Sequence, residues 1–214
     1  MSAIFLMKAF FTGFCAAAAF GPVFIMTFNR AALHGMYFGI ATAFGAALTD
    51  GMLFFLVMSG LLGKLVLGPQ MLISLDILGA AVLFALSWHY WKTVQDVHER
   101  VSVTDMWELI LMTLKTFMMT LVNPSAILFF VFISMKLFGA ELGDVGVFES
   151  SIGGLAVTGG TFSALSLVSY IASFVGARLS PERLRKISRA TSIFLVGIGC
   201  LLIFDALSLM LLNR

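Results

Sequence analysis

The sequence predicts an all-α integral membrane protein, and three observations predict it. Hydrophobic residues make up 60% of the 214-residue chain and charged residues 11%, against about 25% charged in soluble domains. The mean hydropathy is +1.05. The apolar runs are continuous and roughly 20 residues or longer, the length a helix needs to cross about 30 Å of hydrocarbon. A β-barrel would need short alternating segments instead.

Six spans follow in order. The first runs from about Ala3 to Arg30 and is interrupted at Gly21-Pro22. A small-residue stretch, Ala16 to Ala19, mimics a signal-peptide cleavage site, but the apolar run continues past it, so the segment is expected to stay as the first span. The second span, about Met36 to Leu62, carries Asp50. Gly68-Pro69 closes a turn before the third span, about Leu72 to Trp91. A polar connection, Lys92 to Glu108, marks the midpoint. The fourth span, about Leu109 to Phe138, contains Asn123-Pro124. The acidic connection Gly139 to Glu149 leads to a fifth span, about Ile152 to Ala177. A basic turn, Arg178 to Arg189, precedes the sixth span, about Thr191 to Leu212.

The two halves echo one another. Gly21-Pro22 matches Asn123-Pro124, Gly39 and Gly45 match Gly154 and Gly160, and Gly79 and Ala85 match Thr191 and Gly197. Three spans per half require opposite orientations, so the expectation is a 3+3 inverted repeat, residues 1–95 and 109–214 joined by 96–108. Secondary transporters use this plan, with broken helices meeting near the bilayer midplane. Glycines also simply let membrane helices pack closely, within a subunit or at a homodimer seam.

Orientation is read from the Lys/Arg asymmetry of alternate connections. One side holds Arg30, Lys92, Arg100, Arg178, Arg183, Arg185, Lys186 and Arg189; the other holds Lys64, Lys136 and Arg214. The first side is placed in the cytoplasm, which puts both termini outside. His34 and His98 fall in cytoplasmic connections, where solvent holds them. His89, within Trp88-His89-Tyr90-Trp91, reads as part of an interfacial aromatic belt.

Three features carry candidate chemistry. A proline inside a helix removes a backbone donor and disturbs the carbonyl four residues back, here Ala18 and Thr120. Carbonyls freed in this way suit an ammonium group, and the helices restarting at Pro22 and Pro124 offer N–H groups and positive partial charge to a carboxylate. Asn123 adds an amide that donates and accepts. Asp50 is the strongest single candidate, since a carboxylate deep in an apolar run costs about 2.5–3.5 kcal/mol on insertion scales. It either pairs with a substrate amine, exchanges a proton as the coupling site, or is a structural acid. Asp76 and Asp205 lie nearer span ends, where solvation explains them. Thr49, Thr158, Thr161, Ser163 and Ser166 can line a pathway or bond their own helix backbone.

The substrate-binding set read here is thus Asp50, Gly21, Pro22, Asn123, Pro124, Thr120 and Thr49, with Asp50 as the proton-coupling residue. No metal site and no cofactor is read. Nothing resembles a nucleic-acid module, and Cys15 and Cys200 lie in apolar runs that imply no structural disulfide.

The order Gly21-Pro22, Gly35, Gly39, Gly45, Asp50, Asn123-Pro124 and Gly160 resembles the LysE/RhtB family of bacterial amino-acid exporters over nearly the whole chain. The resemblance implies a carrier in the bacterial cytoplasmic (inner) membrane, an antiporter that expels an amino acid or similar amphoteric metabolite on the proton motive force. It also implies that the segments around Pro22, Asp50 and Asn123-Pro124 face the pathway. Members that export basic amino acids tend to carry a second acid after the Asn-Pro pair, whereas Ser125 to Phe130 holds none here. One carboxylate leaves a second substrate cation unpaired at low dielectric, which favours a neutral amino acid. The alternatives are a divalent-metal exporter, which needs several oxygen ligands at the midplane, and a membrane thiol-disulfide carrier, which needs cysteines that meet. A structural membrane subunit is the third alternative.

Overall fold

Prolines and glycines set where the helices start and stop. A computed structural model of the chain describes residues 2–18, 22–61, 69–93, 106–138, 145–178 and 180–212. Among them every regular element is an α-helix: α1 (Ala3–Ala18), α2 (Pro22–His34), α3 (Met36–Met58), α4 (Pro69–Thr93), α5 (Met106–Leu121), α6 (Pro124–Leu137), α7 (Val147–Arg178) and α8 (Pro181–Leu212). Four of the eight open on proline, whose missing N–H costs nothing in a first turn. Between α2 and α3 only Gly35 intervenes, at φ 101°, a left-handed conformation that a side chain would strain. The chain therefore turns there in a single residue.

Both interruptions read from the sequence are breaks between helices. Ala3–Ala17 and Pro22–His34 meet at 68°. At the second break the Asn123 carbonyl accepts the N–H groups of Ala126 (3.1 Å) and Ile127 (3.3 Å), which starts α6. The Asn123 N–H turns back to the Thr120 carbonyl at 3.1 Å. Thr120 is thereby not left with an idle carbonyl, contrary to the expectation from proline alone; the residue before the proline takes the place of the missing donor.

Three helices, Met36–Met58, Val147–Gly176 and Arg189–Ser208, are long and apolar enough to cross a membrane, and the bent α1–α2 pair makes a fourth when counted as one span. Among the described residues α4 and the α5–α6 pair do not meet that length and apolarity. Large apolar side chains point outward, with Leu155 71% and Phe204 67% exposed, as lipid-facing groups do. The protein is a multi-pass membrane protein.

Two expected boundaries move. The basic stretch after Arg178 is not a turn: from Pro181 it is the first part of the 32-residue α8, with Lys186 bridged to Glu182 one helical turn back at 3.2 Å. The start of α7 likewise takes in Glu149 from the acidic connection. Most of the polar midpoint, residues 94–105, lies outside the described residues, as do His98 and the side chain of His89.

Packing centres on α3, which lies along α7 and also meets α2, α5 and α6; α1 lies along α7, and α4 along α8. Without a hydrophobic drive between helices in lipid, close backbone approach and van der Waals contact must hold them. Gly45 on α3 sits against the Thr113 carbonyl and the Phe117 N–H of α5; Gly160 on α7 sits against the Phe10 carbonyl and the Phe14 N–H of α1. A Cβ at either position would overlap that backbone. Aromatic packing fills one end of the bundle, where Phe54, fully buried, meets Phe130 and Phe138 edge-on at centroid distances of 6.4 and 5.3 Å. A second cluster of Met26, Leu83, Leu195 and Leu202 joins α2, α4 and α8.

Candidate functional site

The two helix breaks converge on one cavity. It has a volume of about 210 Å³ and a mostly apolar wall that includes Pro22 and Val23 from the start of α2, Ala46 and Asp50 from α3, Thr120 and Asn123 from the second break, and Leu165 from α7. Ligand pockets commonly span about 300–1,000 Å³, so this one fits a small solute.

Among the described residues, Asp50 is the only ionisable group on that wall. It is 8% exposed, and its described partner is Thr161 on α7, whose hydroxyl lies 2.9 Å from Oδ2. The same hydroxyl oxygen lies 3.1 Å from the Gly13 carbonyl of α1. No Lys or Arg forms an ion pair with Asp50 among the described residues. Such an acid can hold a proton, or it can hold a cation that enters the cavity.

The structure brings together Asp50, Pro22, Thr120 and Asn123 of the residues singled out from sequence. Gly21 lies outside the described residues, and Pro124 opens α6 with a side chain outside them. The Thr120 hydroxyl is used within its own helix, donating to the Thr116 carbonyl at 2.9 Å. Thr49 is absent from the wall. It is fully buried, with its hydroxyl 3.1 Å from the Gly45 carbonyl and 3.0 Å from the Phe117 carbonyl, so it ties α3 to α5 instead of facing solute. Among the other hydroxyls, Thr158 and Ser163 bond back to the carbonyls of Gly154 and Gly159, and the buried Ser166 hydroxyl has no hydrogen-bond partner among the described residues.

Two charged residues are placed differently from their sequence reading. Arg30 is not in a solvated connection. It lies in α2, 9% exposed, with Nη1 donating to Thr42 Oγ1 at 3.0 Å and to Thr116 Oγ1 at 2.9 Å. The helix continues to His34, which carries Arg30 inside the bundle, and His34 itself packs on Phe38 with ring centroids 5.6 Å apart. Asp76, expected to be solvated near a span end, is 6% exposed; it lies on α4, which begins at Pro69 and packs along α8. Arg30 had one signal in the sequence, a cation in the second half of a span already broken by proline. Its two hydroxyl partners had none. Cys15 on α1 and Cys200 on α8 are both free thiols.

Among comparisons with known proteins, the family model described as LysE type translocator matches residues 14–206. The matched range takes in both helix breaks, Asp50 and Thr161. No curated protein and no solved structure matches the chain.

Proposed function

We propose that this chain, which belongs to the LysE type translocator family, exports a small neutral amino acid or similar amphoteric metabolite from the bacterial cytoplasm in exchange for protons. The family is one of transporters, so the substrate is a small molecule and the setting a lipid bilayer. The observation that carries the finer reading is the position of Asp50. It is a buried carboxylate with no basic partner described, on the wall of a small cavity where two helix breaks meet. In this reading Asp50 alternates between a proton and the substrate amine, while the start of α2 and the amide of Asn123 receive the substrate carboxylate.

In this reading residues 1–95 and 109–214 form an inverted repeat, the plan that secondary transporters use. Gly45 packs on Thr113 and Phe117 of the half-helix before the second break, and Gly160 packs on Phe10 and Phe14 of the half-helix before the first. In that register, five residues on from each glycine, the counterpart of Asp50 is Leu165, and both line the cavity. One half therefore brings a charge and the other an apolar side chain, which favours a substrate with a single amine over lysine or arginine.

The sidedness fits six crossings. The C-terminal ends of α2 and α7 lie together, with Gly176 against Ala32, while the Lys8 ammonium of α1 donates to the Leu137 carbonyl at the end of α6 at 3.1 Å. With Arg30 buried, seven basic residues remain on the first side against four on the other, Lys8 included, so the excess still favours a cytoplasmic Arg178–Arg189 and outward termini.

The test is an efflux screen. Cells overexpressing the chain are loaded with dipeptides and the release of each amino acid is measured. At least one neutral amino acid should leave faster than from control cells, and the Asp50→Asn variant should abolish the difference. Unchanged efflux and tolerance for every amino acid would refute the proposal.

A further inference from the structure

The hydroxyl of Thr161 stands between two acceptors on two different helices. Its oxygen is 2.9 Å from Asp50 Oδ2 on α3 and 3.1 Å from the Gly13 carbonyl on α1. A hydroxyl has one proton to donate and lone pairs to accept with, so it cannot donate to both at once. The approach is close because Gly13 has no side chain: a Cβ there would overlap the Val157 carbonyl and lie 3.0 Å from Thr161 Oγ1.

We propose that Thr161 relays the protonation state of Asp50 to α1, acting as a positioning residue at the proton-coupling site. When Asp50 is ionised, the hydroxyl donates to the carboxylate, because a charge-assisted bond is about twice as strong as a neutral one. The Gly13 carbonyl then loses this donor. When Asp50 is protonated, its own O–H donates to Thr161 Oγ1, and the hydroxyl proton turns to Gly13. One proton on Asp50 thus makes or breaks a bond between α7 and α1, the half-helix that leads into the first break. Thr161 itself gains and loses no net proton; only its donor direction reverses.

Other charges do not account for the switch. On α2 the buried Arg30 is engaged by Thr42 and Thr116, and Thr42 lies eight residues from Asp50, about 12 Å along the helix. On α1, Lys8 and Cys15 are exposed, as is Lys115 on α5. On α7, Glu149 lies twelve residues from Thr161, about 18 Å along the helix, and Tyr170 points outward at 62% exposure. On α6, no ionisable side chain is among those described.

The relay rests on the reading of Asp50 as the group that takes the proton, and the experiment separates the two. The full chain is reconstituted in vesicles, and the infrared carbonyl band of protonated carboxyls is followed against pH, the Asp50 component being the part that Asp50→Asn removes. Thr161→Val, which keeps the shape and removes the hydroxyl, should move the midpoint of that component to higher pH by about one unit, the size of a charged hydrogen bond. Thr161→Ser, which keeps the hydroxyl, should restore it. An unchanged midpoint in Thr161→Val overturns the relay while leaving Asp50 as the coupling residue. An Asp50 component that never titrates overturns both. Should Thr161→Val fail to fold, the wild-type band decides: a protonated Asp50 bonded to Thr161 absorbs below the frequency of a free acid, and a free-acid frequency overturns the relay.

Discussion

Arg30 of α2 donates a 2.9 Å hydrogen bond to Thr116 Oγ1 of α5, across 86 residues of sequence. The Thr116 hydroxyl hands its own proton to the Met112 carbonyl at 2.8 Å, and the Thr42 hydroxyl does the same with the Phe38 carbonyl. Both oxygens are therefore oriented to accept from the guanidinium, and a buried cation is held by neutral hydroxyls. Thr116→Val should destabilise the protein by about 1–3 kcal/mol, because it takes an acceptor from a buried charge. Adding Arg30→Met should recover most of that loss, since removing the charge with its partner is far less costly than stranding it. Thermal unfolding of the two single variants and the double variant in detergent gives the coupling.

Gly45→Ala and Gly160→Ala should each lower stability by about 1–3 kcal/mol or prevent folding. Each new methyl group meets backbone, which cannot rotate away. Gly197→Ala on α8 is the control, because its added Cβ meets nothing within 4 Å. Helix propensity there favours alanine by up to about 1 kcal/mol. Equal yields of folded protein from all three variants would contradict the packing described for α1, α3, α5 and α7.

Asp50→Asn should fold and insert as the wild type does, because asparagine keeps the size and can still accept from Thr161. Efflux driven by a pH gradient should fall to the level of cells lacking the protein. Melting temperature and membrane yield check the first part and vesicle flux the second. Transport equal to wild type would remove Asp50 from the mechanism.

Ser87 and Ser192 join α4 to α8 reciprocally: their hydroxyl oxygens are 2.6 Å apart, and each lies within 3.0 Å of the other residue's carbonyl. Ser87→Ala should cost about 0.6–1.7 kcal/mol, the range of interhelical bonds in membranes. Ser192→Ala added to it should cost less than it does alone, because the partner is already gone. Thermal unfolding in detergent again reads the difference, and full additivity would mean the two serines do not act as a pair.

The sequence by itself determined the helical class, the places where helices break and the carboxylate at the centre. Those properties are local: hydropathy sets which segments enter lipid, proline removes a donor wherever it stands, and a charge in an apolar run is visible without a fold. Asp50, Pro22, Thr120 and Asn123 were legible for that reason, and they share one cavity wall. The tertiary structure decided which groups meet. It buried Arg30 and Asp76, set Thr49 between α3 and α5 instead of on the cavity, and extended α8 through the basic stretch. It also brought Thr161 to Asp50 across 111 residues. A hydroxyl reads the same along the chain whether it bonds its own helix or a distant carboxylate; only the packing of α1, α3 and α7, set by where glycines let backbones approach, determines which partner it finds.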